Sequence, residues 1–226
     1  VPECEDGARQ GRGATLWIRL AVGLVLVAVA FVVDRPAFGV LRSSILYDHW
    51  GELREGLTAA KFLGSGLGTA LIAGVVGVVD PRGRRRAAVL LLVAIAAGLA
   101  AGLLKIGVGR ERPSHFDQPV GAERIVFRGP EMGLGEAAYQ SFPSGHVTAA
   151  FASATCLASF YPPARVICFG VATAAGVNRV VKHQHFLSDV VAGGLLGHLM
   201  ALLLLHRTPL RHWWRAEIVD REGGRP

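Results

Sequence analysis

The chain is poor in charge and in cysteine, and both shortages exclude common classes. Charged residues make up 18% of its 226 residues, below the roughly 25% usual in soluble domains, so a surface wetted on all sides is a poor fit. Its three cysteines, Cys4, Cys156 and Cys168, are too few and too scattered for a disulfide framework or a zinc cluster. The 29 glycines follow no collagen period and no Ser/Gln-rich stretch accompanies them, which argues against both a triple helix and low-complexity disorder. No internal repeat or second domain is apparent, so residues 1–226 read as one domain. What the chain has in excess is apolar: hydrophobic residues reach 51%, with a net charge of +7. That positive balance suits nucleic acid, anionic phospholipid or a phosphate-bearing substrate equally.

The distribution of the apolar residues decides the class. Thr15 to Val33, Phe62 to Val79, Ala87 to Val108 and Leu187 to Leu205 are long runs with few interruptions. Each is near the roughly 20 residues needed to cross a ~30 Å hydrocarbon core. Two weaker runs, His146 to Tyr161 and Ala164 to Val177, lie between the last two, and the second reaches spanning length if it extends to Val181. Arg179 would then reach toward the headgroups. The expectation is an all-α, polytopic bundle of six transmembrane helices. The first run reads as an uncleaved helix, because Val32-Val33-Asp34-Arg35-Pro36 is no small-residue cleavage site. Glycine pairs four apart, Gly64/Gly68, Gly98/Gly102 and Gly193/Gly197, predict close helix crossings, since lipid removes the ordinary hydrophobic drive between helices. Ser44 to Gly56 carries Leu46, Trp50 and Leu53 on one face and reads as an interfacial helix in the first outward loop, with an ordered loop as the alternative.

Basic residues in short loops set the orientation. Arg82, Arg84, Arg85 and Arg86 crowd the loop between the second and third runs, which places that loop in the cytoplasm. Both termini then fall on the same side, in agreement with Arg9 and Arg12 and with the basic tail over 206–226. The outward side nevertheless carries Lys105, Arg110, Arg112, Arg124, Arg128 and Arg179. That excess requires another explanation.

Three clusters on the outward side carry chemistry. Lys105 and Arg112-Pro113 stand about two turns apart and would share one face if the helix continued; alone, they are equally a snorkelling lysine and a loop arginine. Phe142-Pro143-Ser144-Gly145-His146 precedes an apolar run. Ser144 is placed to cap the helix, Gly145 lets backbone approach a ligand, the helix start favours an anion, and His146 can supply a proton. The third cluster is Asn178-Arg179, then His185 and Asp189. A carboxylate four residues from a histidine on a helix can bond one imidazole nitrogen and raise the basicity of the other. His183, six from Asp189, falls on a different face and is set aside. A metal site from His183, His185 and Asp189 lacks a fourth ligand by spacing and is surrounded by cations. A six-crossing topology puts all three clusters on one membrane face.

Lys105-x6-Arg112-Pro113, Pro143-Ser144-Gly145-His146 and Arg179-x5-His185-x3-Asp189 resemble the three signature motifs of the type-2 phosphatidic acid phosphatases, the lipid-phosphate phosphatases. The likeness covers roughly Lys105 to Gly197, with Asn178 standing where that family usually has serine. It implies a bacterial inner-membrane enzyme that needs no metal and forms a phosphohistidine. In that reading His185 is the nucleophile, Asp189 its orienting partner and His146 the acid. Lys105, Arg112, Ser144, Gly145 and Arg179 bind the phosphoryl oxygens, and the active site faces the periplasm or exterior. The substrate is a membrane lipid phosphate: phosphatidylglycerol phosphate, phosphatidic acid, undecaprenyl diphosphate or lipid A 1-phosphate.

The chemistry is self-consistent. A phosphoryl group in transfer spreads negative charge over its equatorial oxygens, which cations and backbone N–H groups can stabilise without magnesium. Two competing readings are weaker. A vanadium haloperoxidase would be soluble, against the apolar runs. A non-catalytic lipid-phosphate binding or transport protein would not require the full set of reacting groups. Nucleic acid is weaker still, because the basic residues lie in membrane loops. The orientation has a direct check: in a cysteine-free background, single cysteines within 82–86 should resist a membrane-impermeant thiol reagent in intact cells, and cysteines within 114–140 should react. Labelling of the arginine loop from outside would reverse the topology.

Overall fold

A computed structural model describes residues 2–42, 51–115, 127–207 and 210. They form helices α1 (Pro2–Arg42), α2 (Gly51–Leu63), α3 (Gly66–Val79), α4 (Gly83–Val108), the short α5 (Pro130–Gly135), α6 (Gly145–Phe160), α7 (Arg165–Val181) and α8 (Leu187–Arg207). Among the described residues the fold is all-helical apart from an isolated bridge between Arg110 and Phe127. Four stretches are long and apolar enough to cross a bilayer: Leu16–Val40, Gly83–Val108, Pro162–Val181 and Leu187–His206. A fifth arises if α2 and α3 are counted as one broken span. The outward faces of these helices are what lipid contact requires: Val32 on α1, Leu99 and Leu103 on α4 and Val166 on α7 are all exposed.

The second apolar run is therefore not one straight helix. It bends by 67° between α2 and α3. Ser65 accounts for the break: its hydroxyl donates to Phe62 O at 2.6 Å and accepts from Gly68 N at 3.2 Å, capping α3. Gly68 serves the bend rather than a helix crossing, since a Cβ there would lie 2.1 Å from Phe62 O. Of the expected interfacial helix, residues 44–50 lie outside the described residues, and 51–56 open α2.

α6 is the central helix. Val89, Leu90, Val93 and Ala97 of α4 meet Ala152, Cys156 and Phe160 of α6 and Ala201 and Leu205 of α8 in one core. Ala150 and Ala154 meet Ala172 and Ala175 of α7 on its other side. Surrounded in this way, α6 does not need the hydropathy of a lipid-facing helix, which explains why its run is weak in sequence. The alanines and glycines allow close approach. A Cβ on Gly193 would lie 2.7 Å from Ser144 O, and one on Gly197 would lie 2.1 Å from Thr148 O. Gly64 is also at a crossing, against Ala150. The expected Gly98/Gly102 crossing is absent among the described residues: beyond its own helix, neither has an atom within 4 Å of its missing Cβ. Gly197→Val should thus destabilise the protein by about 1–3 kcal/mol or more, because only backbone stands in the way. Gly98→Ala should be near neutral, and thermal unfolding in detergent compares the two.

Candidate active site

α4 stops before it can carry Arg112. Gly109 adopts a left-handed conformation at φ 57°, its N–H bonding Lys105 O at 2.9 Å, and a Cβ there would lie 2.1 Å from Gly129 O. The enforced left-handed cap ends the helix. Lys105 and Arg112 do not share a helix face as their spacing suggested; Arg112 enters from the following loop. That loop is pinned by Arg112 N to Ala138 O and Ser141 N to Arg110 O, both 2.9 Å. Arg112 then extends a guanidinium N–H to Gln184 Oε1 at 3.3 Å.

The second cluster falls at the start of α6, as its spacing predicts. Ser144 is the N-cap, but its hydroxyl makes no capping bond and, although buried, has no partner among the described residues. Its backbone N–H donates to Asp189 O at 2.9 Å, which fixes the start of α6 against the start of α8. A Cβ on Gly145 would meet only the Lys105 Cε and Nζ, each at 3.7 Å, so the lysine ammonium lies over the turn that carries His146.

The third cluster is split between two elements. α7 ends at Val181 and α8 begins at Leu187, so His185 stands on the intervening turn rather than on a helix with Asp189. That turn folds back on α7, with Gln184 N and His185 N donating to Arg179 O at 3.1 and 3.3 Å. Arg179 does not snorkel toward headgroups but is buried, with 7% of its surface exposed. Asn178 is buried too, its amide N–H 3.5 Å from Thr58 Oγ1 on α2. His183 packs its ring on Phe38 of α1, centroids 5.4 Å apart.

Asp189 is held by several donors. As third residue of α8 it accepts Phe186 N at 2.9 Å, the reciprocal half of a capping box. It also accepts Ser141 Oγ at 2.6 Å and Arg110 Nη1 at 2.5 Å. His185 Nδ1 lies 3.5 Å from Oδ2, the oxygen that accepts Phe186 N and Ser141 Oγ, too long for a normal N–H···O bond. Ser141 fills the gap: its hydroxyl donates to Asp189 and is 3.4 Å from His185 Nδ1. An oxygen committed as donor to the carboxylate is left to accept, so Nδ1 carries the imidazole proton and Nε2 the lone pair. Burial pushes the His185 imidazole down to about 4, against the opposing pull of Asp189 and with help from Arg179 and Lys105. The ring is therefore neutral at pH 7.

The clusters converge. His146 is within electrostatic reach of His185, Arg179 and Lys105, and Lys105 within reach of Arg112, Arg179 and Asp189. Among the described residues, the Ser144 Oγ and the Nε atoms of Arg112 and Arg179 are buried donors without a partner. Such groups are costly unless a ligand satisfies them. An anion with several acceptor oxygens would do so.

Four further residues build the site without having been singled out from sequence. Arg110, fully buried, donates to Ser188 Oγ at 2.6 Å and Asp189 at 2.5 Å through Nη1, and to Asp34 Oδ2 at 2.8 Å through Nη2. Its guanidinium lies 4.2 Å from the Phe186 ring centroid, with Phe31 and Phe127 at 5.1 and 5.5 Å. Asp34, on α1, accepts Ser188 N and Ser188 Oγ at 2.8 and 2.5 Å. Ser141 is the fourth. A carboxylate at the end of an apolar run was the available signal for Asp34; Arg110 had none beyond its place in a basic count.

With this geometry in place, likeness to known proteins becomes informative. A family model described as the PAP2 superfamily matches residues 86–213, more than half of the chain. The chain belongs to the PAP2 superfamily. The decaprenylphosphoryl-5-phosphoribose phosphatase of Mycolicibacterium smegmatis is 32% identical over 171 residues, 75% of this chain and 79% of that protein. The lipid A 1-phosphatase of Rhizobium etli is 37% identical over 116 residues, 51% of this chain. The matched part spans just under half the length of that phosphatase, 47%. A PAP2-type phosphatidylglycerolphosphate phosphatase from Bacillus subtilis shares the fold, with a TM-score of 0.58 at 22% identity over 93% of this chain and 98% of that one. The PAP2 match begins in α4, so α1 and Asp34 lie outside it.

Arg110→Met would leave two buried carboxylates facing each other. It should cost about 3–5 kcal/mol of stability, measured by thermal unfolding in detergent. A variant as stable as the parent would show that the ion pairs contribute nothing.

Proposed function

We propose that this protein is a phosphatase that removes a phosphate from a membrane lipid through a phosphohistidine on His185. The observation that carries this reading is the set of unpartnered buried donors, Ser144 Oγ, Arg112 Nε and Arg179 Nε, gathered with Lys105 around two histidines. The relatives named above are phosphatases of lipid-linked phosphates, which supports the same substrate class here. An apolar cavity of about 610 Å³ also supports it. Val180, Val181, Leu187 and Val190, close to His185 in the chain, line it together with Leu26 of α1, so a lipid chain has space near the turn that carries His185.

In this mechanism Lys105, Arg112 and Arg179 hold the phosphoryl oxygens, with the Ser144 hydroxyl and the N–H of Gly145 at the start of α6. The lone pair on His185 Nε2 attacks phosphorus as the P–O bond to the lipid breaks, and His146, favoured in its protonated form by the negative charge of the bound phosphate, donates that proton to the departing oxygen. Asp189, with Ser141, offsets the positive charge the imidazole acquires. Water then attacks the phosphohistidine, giving its proton to His146, and the P–N bond breaks to release phosphate. The site is furnished with cations rather than with converging metal ligands: among the described residues no group of three His, Cys, Asp or Glu side chains is placed to hold a metal. Six crossings, with α6 as the crossing sheltered from lipid, complete the proposal and put this site on the face opposite the arginine loop. The membrane is then the bacterial inner membrane, with both termini cytoplasmic.

Substitution of the two histidines tests the reading. His185→Ala should abolish both phosphate release from a detergent-dispersed lipid phosphate and any acid-trapped phosphoenzyme. His146→Ala should slow lipid phosphate hydrolysis by about 10²–10⁴, and should slow an aryl phosphate less, because its leaving oxygen is weakly basic. His183→Ala should do little. Retention of the phosphoenzyme in His185→Ala with its loss in His183→Ala would overturn the assignment; binding without turnover in the parent would favour a non-catalytic lipid-phosphate binder.

A further inference from the structure

We propose that Asp34, on α1 and outside the segment shared with the PAP2 family model, is a positioning residue for His185: by balancing Arg110 it keeps the negative charge of Asp189 available to the reacting imidazole. This rests on the reading of His185 as nucleophile given above.

The argument is a charge count in a buried place. Arg110 sits between two carboxylates, 2.8 Å from Asp34 and 2.5 Å from Asp189, and none of the three side chains is exposed to solvent. Two negative charges and one positive leave one net negative charge beside His185. Without Asp34, the Arg110–Asp189 pair would be neutral as seen from the imidazole. That difference matters because of what else faces the ring. Arg179 of α7 and Lys105 of α4 act on it directly, Arg112 lies within reach of that lysine, and His146 of α6 is itself within reach of Lys61 of α2. Attack by Nε2 while Nδ1 keeps its proton makes the ring positive. Those cations oppose this charge, and Asp189 and Asp34 offset them.

Asp34 has a second contact that does not depend on this count. Its Oδ1 accepts Ser188 N at 2.8 Å, so a carboxylate from α1 caps α8 from 154 positions away in sequence. A mere cap and a charge-balancing residue make different predictions, and Asn is the substitution that separates them. Asp34→Asn keeps an oxygen for Ser188 N and removes the charge.

The test uses the full chain in detergent, with phosphate release from a lipid phosphate followed against pH and the His185 imidazole titrated by NMR. The neutral ring attacks, so activity rises with pH through the His185 pKa. Removing a negative charge favours the neutral ring, so in Asp34→Asn both the acid limb and the titration midpoint should move to lower pH, by about one unit. Turnover should fall about tenfold, the equivalent of that one-unit shift, with KM little changed. Asp34→Asn combined with Arg110→Gln restores one net negative charge and should return the midpoint to that of the parent. Ser188→Ala removes a hydrogen bond without changing the count and should leave the midpoint in place. Asp34→Ser, which admits water beside Arg110, gives the same readout should the Asn variant fail to fold. Slow turnover with an unmoved midpoint in the Asp34 variants would reduce Asp34 to a cap and overturn the proposal. Absence of phosphate release by the parent, with the titration shift intact, would instead sink the phosphatase reading and leave the charge coupling standing.

Discussion

A guanidinium with no exposure to water is held in place only by what replaces its hydration, and around Arg110 both terminal nitrogens are engaged while Nε has no partner among the described residues. Asp34 and Asp189 take its two terminal nitrogens, Ser188 shares one of them, and Phe186 presents its ring face at 4.2 Å. Isolated charges in such a place would cost several kcal/mol each, so the group is stable only when all its members are present. The members come from α1, about two turns before its end, the residues just past α4 and the first turn of α8. These three segments therefore cannot separate without exposing an unpaired charge. In a bilayer, where apolar surface gives helices little reason to prefer one another over lipid, a constraint of this kind fixes their relative positions.

Close packing acts in a complementary direction. Gly193 and Gly197 remove the side chains that would hold α8 away from α6, and the small distance that results lets Ser144 N reach the carbonyl of Asp189 at 2.9 Å. One residue, Asp189, is thus tied by its side chain to Arg110 and by its backbone to the start of α6. The turn that carries His146 and the turn that carries His185 are placed by the same residue. Sterics set the approach of the helices and electrostatics set their register.

The sequence made much of this legible, for identifiable reasons. Long apolar runs revealed α1, α4 and α8 because lipid-facing helices must be apolar almost throughout, and α6 was weak because it is sheathed by other helices. The break between α2 and α3 was hidden inside an apolar run, since glycine and serine interrupt hydropathy only slightly. The motif residues were recognisable by spacing, yet the spacing misled about how they meet. Lys105 and Arg112 are separated by the Gly109 cap, and His185 precedes α8 instead of riding on it. Asp34 and Ser141 were not found at all, because each acts through a partner 154 or 48 positions away in the chain. Local pattern carries no record of such pairs.

Burial also bears on the basic residues that the expected topology places on the outward side. Six lysines and arginines fall on the side expected to face outward, against the orientation that the arginine loop suggests, but that conflict assumes that each charge sits at the membrane surface. Arg110 is neutralised inside the protein, and Arg179, Lys105 and Arg112 are drawn inward around the two histidines. What separates these cations is their partners. Among the described residues, Arg110 has both terminal nitrogens on carboxylates, whereas Arg112 bonds the uncharged Gln184 amide and neither it nor Arg179 makes an ion pair. A cation whose charge is already balanced contributes position; one kept desolvated and unbalanced contributes affinity for an anion. Residue type alone does not distinguish the two, which is why a count of positive charges along the chain could raise the question of the outward excess without answering it.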